Sequence, residues 1–222
     1  MDIAFLIVLS TAFVLGLEHS FEPDHIVAVS TIIAQSKGLT KSVVTGTLWG
    51  LGHTVSLLIV GTLLILLRLQ FLAGIVKVFE MLVGVMLILL GLWAILRVRK
   101  LAIHFHVHVH DGRAHAHLHS HRDSESHEHK HIPFSIGLVH GLAGSGALVI
   151  LVMATMKNFA QALSFMAAFG VGLIVAMSLI SSVISLPTRV NDKFAAKVGF
   201  LFPLSVGILS VVWGILIVLG LT

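Results

Sequence analysis

The feature that most constrains this chain is a series of apolar runs, each about 20 residues or longer, set end to end along almost the whole sequence. A helix rises ~1.5 Å per residue, so about 20 apolar residues cross a hydrocarbon core of ~30 Å. The runs are Ile3 to about Ala34, Ser42–Leu67, Phe71–Leu96, Phe134–Met156, Phe159–Leu186 and Val198–Leu221. Lipid cannot satisfy backbone N–H and C=O groups, so such runs fold as helices. The expected fold is an all-α polytopic membrane protein of about six transmembrane helices. Charged residues make up 11% of the chain and its mean hydropathy is +1.04. Soluble domains carry about 25% charged residues. Residues 1–222 therefore read as a single transmembrane domain, with no room for a soluble catalytic domain beside it.

The net charge of +4 is no footprint of nucleic acid, because most Lys and Arg stand at the ends of the apolar runs. There they set topology. Lys37 and Lys41, then Arg97, Arg99 and Lys100, then Arg189, Lys193 and Lys197 fall on one side; Arg68, Lys77 and Lys157 fall on the other. The positive-inside rule then puts both termini outside a cell (inner) membrane and the long connection after Leu96 in the cytoplasm. Cysteine is absent, which removes thiolate ligands, disulfides and thiol redox chemistry, and with them the thiol-relay membrane reductases of similar size. The first run has no basic flank and no small-residue cleavage site, so it reads as a helix and not as a signal peptide.

That first run is too long for one straight crossing, and its middle reads Glu18-His19-Ser20-Phe21-Glu22-Pro23-Asp24-His25. Pro23 lacks a backbone donor and clashes with the preceding turn, so a kink or break belongs here. Broken helices at membrane depth line cavities or lie buried in protein. A faint repeat divides the chain into halves 1–100 and 132–222. Gly16-Leu17-Glu18-His19 recurs as Gly137-Leu138-Val139-His140, an offset of 121, and Gly50-Leu51-Gly52 recurs as Gly170-Val171-Gly172, an offset of 120. Three helices per half make the second copy inverted in the membrane, a common transporter plan.

Fifteen histidines are present. Four of them, His19, His25, His53 and His140, fall inside predicted spans, where ionisable residues cost roughly 2.5–3.5 kcal/mol when charged. The acidic residues Glu18, Glu22 and Asp24 lie beside the first two. Imidazoles and carboxylates complete sites for first-row divalent metals, so His19, Asp24, His25 and His53 are the candidate ligands, with His140 a fifth. On an unbroken helix His19 and His25 point about 120° apart, so sharing a site requires the break. Glu18 and Glu22, at i and i+4, are candidates for a cation vestibule. For any single histidine a hydrogen bond to a neighbouring helix is an equal reading; four beside a broken acidic segment favour a site. Trp49, Trp93 and Trp213 read as packing or interface residues.

The other eleven histidines, His104, His106, His108, His110, His115, His117, His119, His121, His127, His129 and His131, crowd one connection. Its composition builds no core, so residues 101–131 are expected to lack fixed structure and to capture metal in the cytoplasm as a multivalent reservoir.

His19-x4-Asp24-His25 resembles the signature of the nickel/cobalt transporter family, and Leu51-Gly52-His53-Thr54 is similar to that family's following Leu-Gly-His-Ser/Thr motif. The run from Gly137 to Gly146 resembles the small six-helix members linked to urease accessory proteins. The likeness covers nearly everything but the His-rich connection. It implies a permease without prosthetic group whose cargo is Ni2+ or Co2+, selected at His19, Asp24, His25 and His53. Partners implied are the metal ion, the bilayer, and a metallochaperone or urease or hydrogenase maturation protein. Uptake is set ahead of efflux, although Glu22-Pro23 and the long His-rich connection are traits of the efflux branch.

Two other classes compete. Zn2+ is an alternative cargo, since imidazole ligands do not separate it from nickel and cobalt. A metal-storing accessory protein that feeds a nickel enzyme would depend on the His-rich connection and not on the intramembrane histidines. A membrane hydrolase would need a nucleophile motif or His-Glu-x-x-His spacing, and the sequence has neither, so no enzyme is expected.

Overall fold

A computed structural model describes residues 3–34, 38–66, 73–101, 105–110, 113–118, 131–142, 158–186 and 192–221. The helices are α1 Ile3–His19, α2 Pro23–Ile33, α3 Leu39–Leu66, α4 Ala73–Leu101, α5 His131–His140, α6 Phe159–Ile184 and α7 Asp192–Leu219. Among the described residues, α3, α4, α6 and α7 are each long and apolar enough to cross a membrane, and α1 with α2 passes the same test only as a pair, bent at its break. The protein is a polytopic helical membrane protein. The sixth expected span, Phe134–Met156, is seen as α5 only; positions 143–157 lie outside the described residues.

The break in the first span falls where Pro23 dictates, and the two pieces meet at 60°. Pro23 opens α2 at a position whose N–H has no helical partner in any case, with Glu22 as its N-cap. The carbonyls at the end of α1 are satisfied by a tightened turn, Phe21 N–H to Glu18 O at 2.9 Å and Glu22 N–H to His19 O at 3.1 Å. The Ser20 hydroxyl adds a bond to Gly16 O at 3.0 Å. Glu18 and Glu22 consequently do not share a helix face; Glu18 lies in the last turn of α1 while Glu22 stands beyond it.

The helices assemble through close backbone approaches that repeat in pairs. A Cβ on Gly16 would strike Phe169 O, and one on Gly137 would strike Trp49 O. Likewise Gly172 sits against Phe13 O and Gly52 against Phe134 O. Positions 16 and 137, or 13 and 134, differ by 121; positions 49 and 169, or 52 and 172, differ by 120. The offsets of the sequence repeat thus reappear as equivalent contacts, α1 on α6 and α5 on α3. Along the α3–α6 crossing the partners step from Gly46 with Met177, through Gly50 with Ile174, to Thr54 with Gly170, so these equivalent helices run antiparallel. Gly84 with Gly214 and Gly91 with Gly207 make the same antiparallel pairing between α4 and α7. The two halves are inverted copies around a pseudo-two-fold axis. Large apolar side chains such as Leu89, Leu179 and Val183 remain exposed on the outside, as lipid-facing positions require.

The His-rich connection differs from expectation. It carries a two-stranded antiparallel hairpin, β1 Phe105–His110 and β2 Arg113–Leu118. Alternation of His with β-branched Val has the period of a strand, and a local hairpin needs no core of its own. The register sets His106 opposite His117 and His108 opposite His115. His131 opens α5, while His104, His119, His121, His127 and His129 lie outside the described residues.

The glycine contacts meet backbone, which cannot rotate out of the way. Gly16→Ala or Gly137→Ala should therefore each destabilise the protein by ~1–3 kcal/mol, the usual range for overpacking. Leu89→Ala, on the lipid-facing surface, should change little. Thermal unfolding in detergent reads the difference; glycine variants as stable as Leu89→Ala would contradict this packing.

Candidate metal site

The four intramembrane histidines of the sequence converge. His25, His53 and His140 are at most 1% exposed and His19 is 6% exposed. Ring centroids stand 4.3 Å apart for His19–His25 and for His25–His140, 5.3 Å for His19–His53 and His25–His53, and 6.1 Å for His53–His140. The bend between α1 and α2 is what lets His19 and His25 meet, because a continuous helix would send them to different faces. α3 brings His53, and α5 brings His140 at the repeat position of His19.

Hydrogen bonds fix which nitrogen of each ring faces inward. His19 Nδ1 lies 2.7 Å from Glu22 Oε1, and His25 Nδ1 lies 2.9 Å from Asp24 Oδ1. A carboxylate accepts, so each Nδ1 carries the proton and each Nε2 keeps its lone pair. Carboxylates behind ligating histidines hold tautomer and ring orientation in this way. His19 Nε2 and His53 Nε2 stand 3.4 Å apart. Two nitrogens bound to one ion at ~2.0–2.1 Å with a tetrahedral angle are about 3.4 Å apart. His25 Nε2 is buried with no hydrogen-bond partner in the protein, as are His53 Nδ1 and His140 Nδ1, which lie on other sides of their rings from Nε2, and burying such groups unpaired is costly. His19, His25 and His53 each offer one ligand atom, and the three atoms lie within 4.8 Å of one another. This donor set fits a divalent ion held on a three-nitrogen face with an open fourth position.

Asp24 is placed differently from the other candidate ligands. Both its oxygens are engaged: Oδ1 with the ring and backbone N–H of His25, the latter at 2.8 Å, and Oδ2 with His140 Nε2 at 3.0 Å. Asp24, His25 and His140 form a second group with ligand atoms within 4.8 Å, already joined by its own hydrogen bonds. Asp24 thus joins His25 to His140 and ties α5 to α2, and the His140 ring also lies directly beside that of His25. Glu22 is half exposed beside His19, and Glu18 is exposed one turn away.

Trp49 is the residue that sequence reasoning assigned to packing and the structure sets in the site. Its ring centroid is 5.0 Å from His25, 5.4 Å from His53 and 5.1 Å from His140. The available signal was its position four residues before His53, on the same helix face. Phe169, its counterpart in the second half, packs 5.5 Å from His19.

A family described as "Cytochrome C biogenesis protein transmembrane region" matches residues 11–216. The urease accessory protein UreH of Bacillus sp. (strain TB-90) is 36% identical over 207 residues, 88% of this chain and 87% of that protein. No solved structure matches the chain.

The hydrogen bonds of Asp24 allow an orienting role to be tested. Asp24→Asn keeps the side-chain shape but weakens acceptance from both His25 and His140, so cobalt affinity in detergent should fall by about 10–100-fold, the usual effect of losing such a partner. His25→Ala should abolish that binding. Titration calorimetry on protein lacking residues 104–131 makes the comparison; an Asp24→Asn variant with unchanged affinity would contradict the orienting role.

Proposed function

The chain belongs to the family of the cytochrome c biogenesis protein transmembrane region, and we propose that within it this protein is a permease for divalent transition-metal ions, nickel or cobalt first. The observation that carries this reading is the inward-facing set of His19, His25 and His53 nitrogens, two of them oriented by carboxylates. Thiol chemistry is not available to a chain without cysteine, so this protein's work differs from any thiol-based reaction. The name of its relative, a urease accessory protein, favours nickel, the metal of that enzyme, over zinc.

The inverted repeat supports alternating access, with the two halves moving against one another around a site near the middle. Glu18 and Glu22 supply negative charge beside His19 and would gather cations ahead of the site. The positive-inside rule supports outside termini and a cytoplasmic His-rich connection.

Metal flux into sealed proteoliposomes tests the proposal. Wild-type protein should carry Ni2+ or Co2+ in preference to Zn2+. His25→Ala and His53→Ala should abolish flux while the protein still inserts, and His140→Ala should reduce it less, because His140 acts through Asp24. Flux that survives replacement of all four intramembrane histidines would end the permease reading.

A second reading is favoured by one observation, the cross-strand pairing of His106 with His117 and of His108 with His115. On that reading the connection stores metal for a maturation partner and the membrane part is an anchor. Replacing residues 104–131 with a flexible linker discriminates. The permease should keep its maximal flux and need more metal to reach half of it, since a tethered reservoir only raises local concentration. Complete loss of flux in a correctly inserted deletion would favour the accessory role.

A further inference from the structure

The pseudo-two-fold axis relates two helix faces whose chemistry is opposite. On α3, Ser42, Thr45, Trp49 and His53 are spaced by three, four and four residues and occupy an arc of roughly 80°. Their counterparts on α6, at the offset of 120, are Ala162, Phe165, Phe169 and Leu173. All eight are buried. The backbone scaffold treats the two faces alike, so the difference lies in side chains alone. One face is a line of hydroxyls and nitrogens running from the histidine site towards the start of α3. The other is closed with apolar side chains.

Ser181 adds an independent observation. It stands on α6 opposite Gly46, where a Cβ would collide with its hydroxyl. The hydroxyl is fully buried and has no hydrogen-bond partner. Other hydroxyls nearby are satisfied, Ser42 by Gly38 O at 3.1 Å and Ser178 by Thr47 at 2.8 Å. A buried hydroxyl left unpaired carries a penalty of roughly 1–3 kcal/mol unless water or a ligand reaches it. The indole Nε1 of Trp49, between Thr45 and His53 on the same face, is likewise buried and unpaired. Two unsatisfied polar groups thus flank the line of hydroxyls, and none of the four α6 counterparts carries a polar side-chain group.

We propose that the α3 face formed by Ser42, Thr45 and Trp49, with Ser181 across from Gly46, is the hydrated route by which a divalent cation passes between His53 and the membrane face where α3 begins. This deepens the permease reading and rests on it for the identity of the traveller. Trp49 is the side chain that must move, because it fills the space between Thr45 and the imidazoles. Ser181 and Thr45 replace part of the ion's water shell, as hydroxyl oxygens do for cations that favour oxygen or nitrogen donors.

The chain has no native cysteine, so single thiols report the route directly. Ser42→Cys, Thr45→Cys, Ser181→Cys and the mirror control Ala162→Cys would be reconstituted in vesicles and exposed to a small cationic methanethiosulfonate. A thiol in apolar surroundings stays protonated and inert. The three α3-route thiols should therefore react at least about tenfold faster than Ala162→Cys, given that each unit of pKa elevation removes a factor of ten in thiolate. They should react from the side bearing Lys41, and added nickel should slow Thr45→Cys. Equal rates at Ser181→Cys and Ala162→Cys would overturn the proposal. A second measurement guards against altered folding: Ser181→Ala should lower nickel flux severalfold while nickel binding to the histidines in detergent is unchanged. Full flux in Ser181→Ala would also count against the route. If the wild type moves no metal at all, the permease reading fails, whereas the thiol rates still decide whether this face is hydrated.

Discussion

A helix that breaks inside a bilayer releases backbone groups that lipid cannot satisfy, and the structure around this site is organised by that constraint. Pro23 makes the break unavoidable. The tightened turn from Glu18 to Glu22 and the Ser20 hydroxyl then satisfy the freed carbonyls locally, and the rest of the protein surrounds the bend. Ser20 also reaches towards Leu173 O on α6 at 3.4 Å. The same bend turns two histidines six residues apart into ring neighbours. Removing a backbone donor thus has a direct chemical consequence, a pair of imidazoles facing one point.

Inverted duplication explains why the scaffold can hold this bend. Gly16 and Gly137 let two helices approach two others at backbone distance through equivalent contacts, and the apolar ends can then diverge without disturbing the frame. Divergence has been uneven. Trp49 and His53 have Phe169 and Leu173 as their buried counterparts in the repeat, so on these two helices one face carries the donors and the other is apolar. His140 is the second half's remaining donor in register with the first, and it enters through a hydrogen bond to Asp24.

Much of this was legible in the sequence, for physical reasons that can be named. Apolar run length announces spans because the bilayer has a fixed thickness, and Pro23 announces its break because proline's missing donor is a local property. The four histidines were legible because an ionisable group at depth is rare. Three features were hidden. Asp24 was read as a ligand from its place beside His25, and the sequence held no sign that its two oxygens also meet the His25 and His140 imidazoles. Trp49 was indistinguishable from a packing residue, since its role comes from what α2 and α5 bring against it. The hairpin of Phe105–His110 with Arg113–Leu118 was read through its polar composition, while the alternation of His with Val in its first strand carried the strand period.

The donor set also narrows what the site can hold. An imidazole ligand brings no negative charge to an ion, so on the proposed reading the balance comes from the carboxylates behind the rings. Glu22 and Asp24 are placed to do this through the rings, since each proton on Nδ1 is shared with a carboxylate and raises the basicity of the opposite nitrogen. A direct carboxylate ligand would hold the ion more tightly and favour harder cations such as Mg2+ or Ca2+, which prefer oxygen. Thiolates would favour Cu(I). On the proposed reading, an all-nitrogen face with carboxylates behind two of its rings suits the middle of the first row better than either extreme. On the permease reading three protein ligands suit a carrier better than the four of a structural site, because a cargo must leave as readily as it arrives.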